Sequence, residues 1–154
     1  AVIAGGARRQ DSVHSGLQRV GATAEYVAVH DAARPLVRPE MVEQIFQAAR
    51  THDGAACAAP VSDTLKRAGA DRVVTGGVER ENLFAVQTPQ IFRRDFLTKA
   101  YAAVFAAGLE VTDEISAVER AGGKVVLVPN EEPNFKITWP PDLPLAEFVL
   151  RTRT

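Results

Sequence analysis

A chain of 154 residues, 46% apolar and 24% charged, has the length and make-up of one soluble globular domain and too few residues for two. Its 18 Lys and Arg against 19 Asp and Glu give a formal charge of −1, so no global field recruits a nucleic acid or an anionic membrane, and any anion must be held locally. One Cys excludes an intrachain disulfide and leaves a Cys-rich zinc cluster without support; no apolar run reaches the roughly 18 residues of a membrane span, no signal-like leader opens the chain, and a reducing, cytoplasmic home is expected.

The opening Ala1 to Ala4 is apolar and β-prone and runs into Gly5-Gly6, after which Asp11 and Ser12 are good helix starters and Val13, Leu17 and Val20 share one face. That pattern predicts strand, glycine turn and helix. A second unit has a buried strand at Tyr26 to Val29, a break at His30 to Pro35, and a helix opened by Pro39 with Val42, Ile45, Phe46 and Ala49 as its apolar stripe. Gly54 to Ala59 reads as a third strand of small residues stopped by Pro60. Val61 to Phe92 breaks the rhythm and is predicted to be an extended arm. Helices return at Arg94 to Ala107 and after Thr112, a strand at Lys124 to Val128, a short strand at Asn134 to Thr138, and a last helix from Pro140-Pro141-Asp142 through Leu145, Phe148 and Val149. Strands alternating with amphipathic helices predict an α/β fold whose mainly parallel sheet is covered on both faces. No internal repeat or low-complexity segment is evident.

In such a sheet the loops at the carboxyl ends of the strands meet along one edge, and three of them are polar. Gly5 to Ser12 offers glycines and a helix N-terminus to a phosphate, with Arg9 and Ser12 as further donors; taken alone, an ordinary strand-to-helix turn with surface arginines is the simpler explanation. His30 to Pro35 sets Asp31 directly after a buried strand, where a carboxylate holds Mg²⁺ alongside polyphosphate and water, or else closes a turn on Arg34. His30 itself packs or caps, since no Ser or Cys nucleophile stands beside it. Asn134 to Thr138 delivers Lys136, either to an anion or, snorkelling, to solvent. Thr112-Asp113-Glu114 reads as a cap followed by acids that complement a helix dipole. The charged residues of the arm are surface groups or, because β-prone edges call for pairing, part of a contact with a second copy.

Taken in order, Gly5-Gly6 with Arg9 and Asp11 to Val13, Val29 to Pro35 (VHDAARP), Ala59 to Lys66 (APVSDTLK), Gln87 to Phe92 (QTPQIF), Thr112 to Glu114, and Phe135 to Thr138 with Asp142-Leu143 resemble the 2-C-methyl-D-erythritol 4-phosphate cytidylyltransferase family. The resemblance spans nearly the whole chain, and HDAARP, TPQ and KIT are specific as a set. It implies a Rossmann-like, mainly parallel sheet with a protruding β-arm, of the nucleotide-diphospho-sugar transferase type, in a single partial domain over residues 1–154 with residues 61–86 as a dimerisation arm. The family's opening glycine-rich loop and Pro-Lys pair have no match, so an N-terminal portion is expected to be missing and the isolated chain to be incomplete as a catalyst.

The activity implied is Mg²⁺-assisted transfer of CMP from CTP to methylerythritol 4-phosphate with release of pyrophosphate, in the non-mevalonate isoprenoid pathway. By the same resemblance Asp31 and Lys136 are catalytic and Asp31 serves the metal. Gly6, Ser12, Asp31, Ala32 and Lys136 lie against the nucleotide, while Asp31, Arg34, Thr88, Thr112 and Lys136 line the acceptor pocket. Thr64 and Arg80 cross from the arm to a partner subunit's site, making a homodimer. Rival readings are a cytidylyltransferase for another polyol phosphate such as ribitol 5-phosphate, and a noncatalytic assembly module. A downstream fusion to another enzyme of the pathway is a further expectation, about which Arg151 to Thr154 say nothing.

Overall fold

The computed structural model describes residues 1–153. The elements in chain order are α1 (Arg9–Leu17), β1 (Tyr26–Val29), α2 (Pro39–Ala49), β2 (Gly54–Pro60), β3 (Leu65–Ala68), β4 (Val74–Val78), β5 (Phe84–Arg93), α3 (Arg94–Ala106), α4 (Glu114–Arg120), β6 (Val125–Pro129) and α5 (Asp142–Thr152). Four strands form a mixed sheet in the order β1-β5-β2-β6. β5 runs antiparallel to both β1 and β2, while β2 and β6 are parallel. β1, β2 and β6 therefore share one direction, as a mainly parallel sheet requires, and the inserted β5 makes two of the three pairings antiparallel.

Helices cover both faces because consecutive residues of a strand point to opposite sides. On β5, Phe92 joins the core that Leu17, Leu97, Ala100, Tyr101, Val104, Ala117 and Val118 build from α1, α3 and α4. Its neighbour Ile91 points the other way, into the cluster of Ile45, Ala49, Ala55 and Cys57 under α2. The small residues of β2 allow this close stacking. A Cβ at Gly54 would lie 2.2 Å from Phe92 Cδ1, so only glycine lets the buried ring cross there.

Several elements differ from their sequence reading. Ala1 to Ala4 forms no strand, since nothing among the described residues pairs with it to satisfy a ladder. α1 begins at Arg9 with Arg8 as its N-cap, and Asp11, read as a starter, sits at N3 and accepts the Arg8 backbone N–H at 3.1 Å. The predicted arm is shorter than Val61 to Phe92, because Phe84–Arg93 is a central strand; what projects is the β3/β4 hairpin, paired Leu65 to Val78 and Lys66 to Gly77. Asn134 to Thr138 is irregular rather than a strand. It is tied down by Ile137 N–H donating to the Ala33 carbonyl at 2.8 Å and by Asp142 Oδ2 accepting the N–H groups of Thr138 and Trp139, each at 2.8 Å. α5 forms as read, but Leu145 and Phe148 of its stripe are exposed and Ala146 is the buried residue.

Candidate functional site

The turn after β1 brings the chemistry together. Asp31 stands where the strand ends, with its side chain 18% exposed, and three cations converge on its carboxylate. Lys136 Nζ is 3.3 Å from Oδ2, Arg34 Nε 3.7 Å from Oδ2, and Arg9 Nε 3.4 Å from Oδ1. Burial disfavours the Asp31 charge, but the Lys136 hydrogen bond and the field of Arg9 outweigh it and hold the carboxyl below its usual range. These cations come from three distant stretches: the start of α1, the turn itself, and the irregular segment that Ile137 anchors to Ala33.

Backbone hydrogen bonds set the turn. The Asp31 N–H donates to Thr88 Oγ1 at 3.0 Å, and the Arg34 N–H closes onto the Asp31 carbonyl at 2.9 Å. His30 braces the other side, with Nε2 3.0 Å from the Arg34 carbonyl and Nδ1 3.1 Å from Thr88 Oγ1. A carbonyl only accepts, so Nε2 carries the proton and Nδ1 accepts from the Thr88 hydroxyl. His30 thus packs and caps as the sequence suggested. Beneath the turn, Arg34 Nη1 donates to the Asn134 carbonyl at 2.8 Å, and the Asn134 amide donates to Gln87 Oε1 at 3.1 Å and to the Thr88 carbonyl at 3.0 Å. Arg34 Nε is buried with no hydrogen-bond partner, which leaves a donor facing the Asp31 side of the cluster.

Arg9 joins this group to α4. Its Nη1 and Nη2 donate to the two carboxylate oxygens of Glu114 at 2.8 and 2.9 Å, and Tyr101 Oη donates to Glu114 Oε1 at 2.9 Å. The cap is Asp113, not the Thr112 that the sequence suggested, and it accepts Ser116 N–H at 2.9 Å. Glu114 is not the solvated dipole acid expected; it is fully buried, and Arg9 is its counter-ion. A signal for this existed: Glu114 lies three and four residues before Ala117 and Val118, on the inward face of the helix. Gln87 and Asn134, which support the turn from below, carried no comparable signal.

Asp31, Arg34, Thr88 and Lys136 are in one cluster, with Thr88 engaged by the turn, and Ala32 is exposed within the turn. Thr112 stands two residues before Glu114, its hydroxyl 3.5 Å from Ser116 Oγ, and no hydrogen bond links it to the Asp31 cluster among the described residues. Gly6 and Ser12 sit at the start of α1, the Gly6 N–H donating to Ser12 Oγ at 3.0 Å. A Cβ on Gly6 would stand 2.2 Å from Asp11 Cβ, so glycine is required for the loop to fold back on the helix. Thr64 and Arg80 are not brought to this cluster: Thr64 is exposed on the arm, and Arg80 Nη1 donates to the Ser62 carbonyl.

Three cations against the carboxylates of Asp31 and Glu114 leave one net positive charge, the electrostatics of an anion site. Among the described residues no three His, Cys, Asp or Glu side chains form a metal cage. Asp31 fits one carboxylate position of a Mg²⁺ ion whose other positions belong to polyphosphate and water, the usual manner for that ion. The site is an open rim; a cavity of about 500 Å³ bounded by Leu36, Met41, Pro129, Asn130 and Asn134 lies beside it, lined by none of the charged residues around Asp31.

The family model for 2-C-methyl-D-erythritol 4-phosphate cytidylyltransferase matches residues 1–152. A relative of that name from Stenotrophomonas maltophilia is 49% identical over 153 residues, covering 97% of this chain and 66% of its own length. The bifunctional enzyme IspD/IspF of Desulfotalea psychrophila is 46% identical, over 99% of this chain and 39% of its own. The crystal structure of the enzyme from Thermus thermophilus superposes with a TM-score of 0.89 at 39% identity, over 97% of this chain and 73% of that one. This chain therefore spans just under two thirds of the length of the Stenotrophomonas relative. With the sequence match running from end to end and the fold shared, the chain belongs to the 2-C-methyl-D-erythritol 4-phosphate cytidylyltransferase family.

Proposed function

We propose that the protein transfers CMP from CTP to 2-C-methyl-D-erythritol 4-phosphate, giving 4-diphosphocytidyl-2-C-methyl-D-erythritol and pyrophosphate for isoprenoid synthesis. The observation that carries this reading is the convergence of Lys136, Arg34 and Arg9 on the single carboxylate of Asp31, in a member of this family. An oxygen of the acceptor phosphate attacks the α-phosphorus of CTP, one P–O bond forms, the bond to the β-phosphate bridge breaks, and pyrophosphate leaves with the electron pair. Two anions must touch for this to happen, and charge grows on the phosphorus oxygens as they do.

Lys136, half-exposed on the rim, bridges Asp31 and the reacting phosphates. Arg34, mostly buried beside Asp31, adds fixed positive charge at the acceptor phosphate, and the N-terminus of α1 with Gly6 and Ser12 faces the nucleotide. Ala32 leaves room beside the turn, and Thr88 and Thr112 bound the acceptor. Asp31 is the residue that holds Mg²⁺, which when bound neutralises phosphate charge. Thr64 and Arg80 reach the acceptor of a second copy, so the active form is a homodimer joined by the arm that carries the β3/β4 hairpin and working in the cytoplasm. No helix among the described residues is long and apolar enough to cross a membrane.

The test follows pyrophosphate release by the whole protein with CTP, Mg²⁺ and either methylerythritol 4-phosphate or ribitol 5-phosphate. Faster turnover of the first supports the reading; faster turnover of the second assigns another acceptor, and none with either denies the activity.

A further inference from the structure

We propose that Tyr101 and Glu114 are positioning residues that lock the Arg9 guanidinium in the orientation that presents its Nε to Asp31. The inference rests on the function proposed above, because it concerns how the Asp31 site is built. Both nitrogens at the tip of Arg9 are used by Glu114, at 2.8 and 2.9 Å. A planar fork with its two end atoms held has no rotation left, so the direction of the remaining N–H is fixed. That N–H lies 3.4 Å from Asp31 Oδ1.

Glu114 is held in turn. It is fully buried on α4, and its only donors other than Arg9 among the described residues come from Tyr101, whose hydroxyl reaches Oε1 at 2.9 Å. Tyr101 is buried in the core on α3, and burial, reinforced by the Glu114 charge, pushes its phenol well above the usual range. The phenol therefore stays protonated and acts as a donor to the carboxylate. An Arg–Glu pair taken out of water gains little stability over apolar packing of the same volume, so the expense of burying it is consistent with a geometric role. Three helices, α1, α3 and α4, thereby set the position of a group on the turn after β1.

The test compares Tyr101→Phe with the unchanged whole protein, alone and in an Arg9→Ala background. The phenyl ring remains, so the fold should persist: the melt should stay cooperative, with a midpoint lowered only by the loss of one buried hydrogen bond. In the Arg9 background kcat/KM for CTP should fall about tenfold, the range seen when an outer partner of a ligating group is removed. In the Arg9→Ala background the same substitution should change it less than twofold, because its route to Asp31 is gone. Equal losses in both backgrounds, or no loss with Arg9 present, would overturn the proposal. An independent readout is the Arg9 guanidinium by NMR: slowly exchanging and rotationally restricted with Tyr101, broadened in Tyr101→Phe. Unchanged order would also overturn it. Should the whole protein release no pyrophosphate with either acceptor, the activity reading fails, and the guanidinium comparison alone decides the lock.

Discussion

Thr88 illustrates how much one hydroxyl does at the residue scale. It accepts the Asp31 N–H and donates to His30, so the acid's backbone is held from a neighbouring strand. Thr88→Val keeps the shape and leaves a half-buried N–H without its partner, which should cost about 1 kcal/mol in urea unfolding. Thr88→Ser should retain most of that stability. Asp31→Asn keeps the shape and loses the charge; pyrophosphate release at subsaturating Mg²⁺ should drop about 100-fold, the effect of removing one preorganised electrostatic group, and unchanged turnover would contradict the role given to Asp31. At this scale the sequence was informative about His30 and Asp31, polar residues at the end of the apolar strand β1, whereas Lys136 stood in a stretch whose spacing left it between an anion and solvent. It misled about Glu114, whose acid at a helix start looked like a dipole partner until the packing of α3 and α1 enclosed it.

Elements are decided by patterns a few residues long, and the helices accordingly lie close to where periodicity and proline put them. Strands fared differently at both ends, since a strand exists only where a neighbour pairs with it. Phe84–Arg93 is a strand because β1 and β2 flank it, and Asn134 to Thr138 is not, because its hydrogen bonds go to Ala33 and Asp142 instead. Gly54→Ala tests the tightest crossing: its Cβ would meet the buried Phe92 ring at 2.2 Å, and overpacking of this kind costs about 1–3 kcal/mol. A lowered thermal midpoint would register it. Asp142 gives a pH prediction. The N–H groups of Trp139 and Thr138 hold its carboxyl below the ordinary 3.8. The folded chain then binds this proton less readily than the unfolded one. The stabilisation is complete above the ordinary value and fades as pH falls through the lowered one. Asp142→Asn should therefore flatten the acid side of the melting curve, measured from neutral pH downward.

For the whole molecule, the β3/β4 hairpin leaves the four-stranded sheet, and its strands pair with each other. Replacing residues 64–80 by a short glycine-serine linker should convert a sedimenting dimer into a monomer while the sheet and its two cores still melt cooperatively; a dimer that survives the replacement would remove the arm from the interface. The sequence alone determined the class of fold, the helices, and the polar residue types of the turns, because hydrophobic period and turn chemistry are local properties of the chain. Only the tertiary structure decided the insertion of β5 between β1 and β2, the burial of Glu114, and the meeting of Arg9, Asp31 and Lys136. Each depends on residues far apart in the chain coming within a few ångströms, and no local pattern encodes such a distance.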